Sequence, residues 1–308
     1  MTEHTIWKDF LAEVYVWKLF NGKGEDKLHI SPLLCTFEKM DDDGKIQYFL
    51  LFPWASGDLK HFWANNSSTD GRFTLCWMSE QCWRLAEALS VIHQDQKKDP
   101  TKPGDNKEPL YGRHGDIKPG NILWFAEYVG CDNAGTLVLA DFGIAKCHRL
   151  LTKSMSNPLT TKYSTTYMSP EFSVSGHNIG RKSDIWGLAC TYIEFVTWYL
   201  RGGQAGNDEF AEFRDETHPV HKNVSQDTYF SVTEKGAIVK PKVAKWIESL
   251  HRDDRCSRFL HDFLFFIQES MLIVDPLERA TANYVSEKLK ALYEKCKSDS
   301  VYANSPSS

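Results

Sequence analysis

Residues 113–121 read Arg113-His114-Gly115-Asp116-Ile117-Lys118-Pro119-Gly120-Asn121. No other stretch of the chain concentrates polar and charged groups so densely, and it precedes a short apolar run, Ile122 to Phe125. Charged groups gathered beside a segment that must be buried suggest a site. An aspartate, a lysine two residues on and an asparagine five on, followed downstream by Asp141-Phe142-Gly143, match a phosphoryl-transfer loop and its metal-binding turn. Asp116 is the candidate base: a carboxylate within reach of a hydroxyl nucleophile orients it and accepts its proton, typically a gain of about 10²–10⁴-fold. Lys118 can neutralise the negative charge that spreads over a transferred phosphoryl group. Asn121 and Asp141 supply hard oxygen ligands suited to Mg²⁺, and Gly143 lets the backbone turn sharply behind Asp141.

Upstream, Trp7 to Phe20 carries apolar residues at roughly helical spacing and should end at Asn21-Gly22. Two apolar runs, Ile30 to Phe37 and Ile46 to Pro53, flank Asp41-Asp42-Asp43-Gly44 and predict paired strands. The pattern turns helical near Leu59 to Trp63, and again from Glu80 to His93, where Cys82, Leu85, Ala86, Leu89 and Ile92 share one face. Residues 94–112, rich in Lys, Asp, Pro and Gly, read as a solvated loop insertion. Downstream, Ile122 to Phe125 and Thr136 to Ala140 predict two strands around a polar turn, and the chain reads as mostly helical from Asp184. Residues 293–308 read as a disordered tail, because KSDSVYANSPSS lacks apolar periodicity.

The composition is that of a globular protein. Among 308 residues, 42% are hydrophobic and 25% charged, with a net charge of −5. That balance lacks the basic surplus of a dedicated nucleic-acid binder. No apolar run approaches the roughly 20 residues that span a bilayer, and the first residues form no secretory signal. The expectation is an intracellular protein, cytoplasmic or nuclear, with neither nucleic acid nor membrane as partner. The eight cysteines form no CxxC pair and read as reduced core thiols. Neither Cys76 with Cys82 nor His218 with His221 has a second half at zinc-finger spacing, so no zinc site is expected.

With these residues in order, the sequence resembles the eukaryotic protein kinase family from Trp7 to about Leu292. Met168-Ser169-Pro170-Glu171 resembles the motif that closes the activation segment. Ser183-Asp184-Ile185-Trp186-Gly187 looks like the start of the long central helix, and Arg279 after Asp275-Pro276 is similar to the late arginine that pairs with the glutamate of that closing motif. The wording HGDIKPGNILW also resembles an HGD-type group common in filamentous fungi. The resemblance implies an α+β, two-lobed fold with a mainly helical large lobe. It divides residues 1–292 into a small-lobe remnant, 1–57, and a large lobe, 58–292. It implies ATP and Mg²⁺ as cofactors and a protein Ser or Thr as substrate.

By the same resemblance Glu13 takes the place of the helix glutamate that pairs with a strand lysine. Phe52 and Trp54 fall at the hinge that binds adenine through its backbone, Leu51 at the gatekeeper, Asp58 at the ribose and Leu123 beneath the adenine ring. His114, Phe142 and Trp17 would stack in the regulatory spine, and Ser164 would lie near the base. Gly115 stands where the usual motif has arginine, so an activation-segment phosphate would lack its main cationic partner.

The glycine-rich strand pair and strand lysine that cover the phosphates find no room before Trp7. The sequence therefore reads as N-terminally incomplete, with the first three strands of the small lobe missing. Phosphoryl transfer by the 308 residues alone is then expected to be very slow. Two alternatives stand beside an active kinase: a pseudokinase or scaffold using the large lobe as a binding surface, and a small-molecule phosphotransferase of the aminoglycoside or choline kinase type.

Overall fold

A computed structural model of the chain describes residues 7, 10, 11, 14, 17, 29–94, 112–127, 134–141, 165–173, 179–217 and 225–306. Trp7, Phe10, Leu11, Val14 and Trp17 are helical, and Val14 and Trp17 face the core. Strands β1 (Cys35–Met40) and β2 (Ile46–Leu51) pair antiparallel, with Met40 opposite Ile46. Asp41 closes the turn, its Oδ1 accepting from Asp43 N at 3.2 Å and Lys45 N at 2.8 Å. The first strand begins five residues later than the apolar run predicts. Ile30 instead bridges Leu139, with Leu139 N donating to His29 O and Ser31 N to Leu139 O at 2.8 Å each.

Residues 52–56 lead from this ribbon to a second sheet, in which β3 (Gly57–Asp58), β4 (Ile122–Phe125) and β5 (Thr136–Leu139) run antiparallel in that order. The predicted second strand pair is therefore present. Helix α1 (Leu59–Asn65) starts where Asp58 accepts from His61 N at 2.7 Å. Helix α2 (Leu75–His93) starts five residues earlier than its apolar stripe suggests, because Thr74 caps it by accepting from Trp77 N at 3.1 Å. It buries the whole expected face. Trp77 Nε1 donates to Gly135 O and Gln81 Oε1 accepts from Leu137 N, at 2.9 Å each, which fixes the helix to the sheet.

Helix α3 (Lys182–Arg201) forms the core of the remainder, with nearly every residue buried, and stops at Gly202 in the left-handed region at φ 84°. Helices α4 (Gln204–Arg214), α5 (Pro241–His251), α6 (Arg258–Phe266) and α7 (Ala282–Ser298) surround it, α7 lying along α2. The reading of this half as mostly helical holds, but it omits two short hairpins. They are β6 (Glu216–Thr217) with β7 (Ser225–Gln226), and β8 (Phe230–Thr233) with β9 (Gly236–Val239).

The tail needs correction. Residues 293–298 complete α7, and Ser300–Asn304 form a further helix, α8. Asp299 caps it, accepting from Val301 N and Tyr302 N at 3.0 Å each. Tyr302 is buried beside Phe259, donates to Asp262 Oδ2 at 2.7 Å, and has the Lys295 ammonium 3.7 Å from its ring. One cap and one aromatic anchor order this segment without the periodic apolar pattern of a long helix. Residues 95–111 of the expected loop insertion lie outside the described residues.

Candidate active site

The loop before β4 is held from below by the first turn of the central helix. Asp184, buried near the start of α3, accepts from His114 N at 2.9 Å, Gly115 N at 2.8 Å and His93 Nε2 at 2.8 Å. Burial works against its charge, but the hydrogen bond and charge of His93, with Arg113 and His114, hold the carboxyl below its ordinary value. Gly115 has φ 89°, a conformation glycine adopts freely and other residues rarely do. The glycine that replaces the family's arginine thus has a backbone reason. Gly187 completes the contact: a Cβ there would lie 2.7 Å from Ile117 O.

His114 is fully buried, and burial lowers its pKa, favouring the neutral ring. Its Nε2–H donates to Ala140 O at 2.9 Å, and Nδ1 accepts from Asp116 N at 3.4 Å. This one imidazole therefore links the Asp116 backbone to the residue before Asp141.

Lys118 Nζ donates to Asp116 Oδ2 at 2.5 Å, and Asn121 Nδ2 donates to the same oxygen at 2.9 Å and to Asp116 O at 2.8 Å. Residues 119–121 make a 3₁₀ turn that places Asn121 back over Asp116. Both side-chain bonds fall on Asp116 Oδ2. Both side-chain donations from Asn121 use its nitrogen, and its Oδ1 can only accept.

Ala140 N donates to Asn121 O at 2.9 Å, one step beyond the Ile122–Leu139 pair, so Asn121 and Asp141 emerge at the same end of the β4–β5 hairpin. Asp141 is exposed and has φ 64°, the single non-glycine residue at positive φ among the described residues. Strain of this kind, on the order of 1–3 kcal/mol, clusters at functional sites. The oxygen donors present suit Mg²⁺.

The structure brings Asp58 and Leu123 to the same place, opposite each other in the β3–β4 pair. A Cβ on Gly120 would stand 3.8 Å from Asp58 Oδ2, so this carboxylate borders the Asp116 loop. Phe52 packs on Trp17 with centroids 4.7 Å apart, whereas the Trp54 side chain is 97% exposed, which leaves its backbone as the element that could contact a base. Glu13, Phe142, Gly143 and Ser164 lie outside the described residues. No glycine-rich strand pair occurs among the described residues.

Glu171 and Arg279, matched by resemblance in the sequence, form a buried bidentate pair with two 2.9 Å bonds. The protein kinase domain family matches residues 8–289. The chain belongs to the protein kinase family.

Its relatives are kinases as well. This kinase domain is 27% identical to Cyclin-dependent kinase 9 of Bos taurus over 87% of the chain and 64% of that protein. It is 26% identical to Cyclin-dependent kinase C-2 C of Arabidopsis thaliana over 76% of the chain and 31% of that protein. A shorter region, 27% of the chain and 12% of the relative, is 43% identical to Mitogen-activated protein kinase kinase kinase 3 of Mus musculus. The chain thus spans less than two thirds of the length of these relatives. Among the described residues, no helix is long and apolar enough to cross a membrane.

Sequence reasoning missed His93. It lies at the end of α2, many residues before the Asp116 loop, and only the fold shows that it meets Asp184.

Proposed function

We propose that this kinase transfers the ATP γ-phosphoryl group to serine or threonine hydroxyls of proteins. The observation that carries the reading is the arrangement of Lys118 and Asn121 on one oxygen of Asp116, with Asp141 at the same hairpin end. When bound, Mg·ATP supplies the phosphoryl group and part of its charge neutralisation. Asp116 orients the substrate hydroxyl and takes its proton on Oδ1, the oxygen that Lys118 and Asn121 leave open. Lys118 keeps a positive charge beside the transferring group, and Asn121 fixes the carboxylate while offering its own oxygen to the cation. Asn121 and Asp141 are the proposed metal ligands. Phe52 and Trp54 by backbone, Asp58 by carboxylate and Leu123 by its apolar surface are the proposed nucleotide contacts, and Glu13 is the proposed partner of a phosphate-binding lysine.

The HGD wording around Gly115 supports placement in the HGD-type group of kinases, and the kinase resemblance supports an intracellular site of action. The test is a radiolabelled-ATP assay with Mg²⁺ on the protein isolated from its own cells, with phosphoamino-acid analysis of the product. Label on serine or threonine, reduced about 10²–10⁴-fold by Asp116→Asn and lost with Asp141→Ala, is the expected result. Incorporation equal in wild type and Asp116→Asn, or none in either, rejects catalysis and leaves the scaffold reading.

A further inference from the structure

Three side chains far from the Asp116 loop in sequence meet where α5 passes into α6. His251 is the last residue of α5, Cys256 lies in the connection, and His261 sits in α6. Their spacing, four residues between each, matches none of the zinc-finger patterns considered from sequence. Nδ1 of His251 and Nδ1 of His261 are 2.8 Å apart, with ring centroids at 4.8 Å. The Cys256 Sγ and these nitrogens all lie within 4.8 Å of one another. Cys256 is buried and both histidines are half-buried.

The second nitrogen of His251 decides the protonation pattern. Nε2 lies 3.3 Å from Gln268 Oε1, which can only accept, so Nε2 carries the proton and Nδ1 its lone pair. An imidazole whose remote N–H is held by a carbonyl while the other nitrogen points at a partner is the arrangement found around metal-ligating histidines. The connection is also preformed. Cys256 N donates to Asp253 O at 2.8 Å, Arg255 N to Asp253 Oδ1 at 3.0 Å, and Ser257 caps α6 by accepting from Leu260 N at 3.3 Å.

Two nitrogens and one sulfur form a borderline-soft donor set that suits Zn²⁺ better than Mg²⁺ or Ca²⁺. Tetrahedral ligation with Zn–N near 2.0–2.1 Å separates two ligand nitrogens by roughly 3.3 Å, so the facing Nδ1 atoms need to part by only about 0.5 Å. We propose that His251 Nδ1, His261 Nδ1 and Cys256 Sγ bind one zinc ion, water completing the tetrahedron, and that the ion ties the end of α5 to α6. On binding, Cys256 gives up its proton and His261 moves to the tautomer protonated on Nε2, releasing the Nδ1 proton it shares with His251, so both imidazoles ligate as neutral rings. Burial pushes the free thiol up to about 12, with Asp253 adding to the effect.

The test uses the full chain, reduced and stripped with chelator, titrated with Co²⁺ as a spectroscopic probe and then with Zn²⁺. Expected are tetrahedral ligand-field bands and a thiolate charge-transfer band saturating at one equivalent, both removed by Zn²⁺. Cys256→Ser should abolish the charge-transfer band, and His261→Gln, at a half-buried position, should weaken binding while circular dichroism stays native. Gln268→Ala should weaken affinity by about 10–100-fold. Absence of the charge-transfer band in the wild type overturns the proposal. So does a charge-transfer band unchanged in Cys256→Ser, or, where that variant does not fold, cobalt affinity unchanged in His261→Gln.

Discussion

Arg279 and Glu171, 108 positions apart, face each other with Nη1 on Oε1 and Nη2 on Oε2, each at 2.9 Å, and neither side chain reaches solvent. Arg279 also donates to the carbonyls of Ile273, Lys182 and Val274. Removing one partner from a buried pair leaves an uncompensated charge and typically costs about 3–5 kcal/mol. Arg279→Ala should lie at or above the top of that range because it also orphans three carbonyls, and Glu171→Gln should cost less because the amide keeps an acceptor. Urea denaturation of both variants measures the order.

Gly187 makes the central helix and the Asp116 loop inseparable. Alanine there would place a Cβ 2.7 Å from Ile117 O, a backbone atom that cannot swing aside. Gly187→Ala should cost about 1–3 kcal/mol by overpacking and also lower phosphoryl transfer, since the atom displaced lies between Asp116 and Lys118. Thermal melts and the labelled-ATP assay, run together, separate the two effects. Full activity in the variant would exclude that coupling.

Acid should weaken the fold through His29. This residue is buried, Nδ1 donates to Leu137 O at 2.6 Å, and burial lowers its pKa from 6.5 to about 4, Leu137 opposing the shift and Arg84 adding to it. The unfolded chain therefore binds more protons than the folded one between these values. Stability is fully present above pH 6.5 and falls as pH drops towards 4, by about 3 kcal/mol from this group. Denaturant midpoints across that window should show a shallower slope for His29→Asn than for wild type.

The C-terminal helix should contribute to stability. Tyr302→Phe removes the bond to Asp262 and should cost about 1 kcal/mol. Deleting 299–308 also uncovers apolar surface around Phe259 and should cost about 3 kcal/mol. Equal melting temperatures for the full and shortened chains would contradict the packing described.

The features legible in sequence were those with a local code. Asp116, Lys118 and Asn121 sit close enough for their spacing to imply shared geometry, and the Asp41 turn and the apolar face of α2 follow from residue type and period. Glu171 with Arg279 could be matched only through resemblance, because nothing local records a pairing over 108 positions. His93 with Asp184, and His251 with His261, are products of helix packing and have no sequence signature. The α8 segment was misread because a single capped turn anchored by one tyrosine lies below what periodicity detects.

The two amides that Asp184 receives belong to loop residues, His114 and Gly115, outside any helix or sheet ladder. Their acceptor sits in the first turn of α3, among the most deeply enclosed residues of the protein. Neither amide can exchange with deuterium until that part of the core opens, so both should exchange on the timescale of global unfolding rather than of loop motion. A segment without regular secondary structure would then rank with the slowest-exchanging amides of the protein, and the Asp116 loop would be inherited by every conformation in which the central helix stays packed.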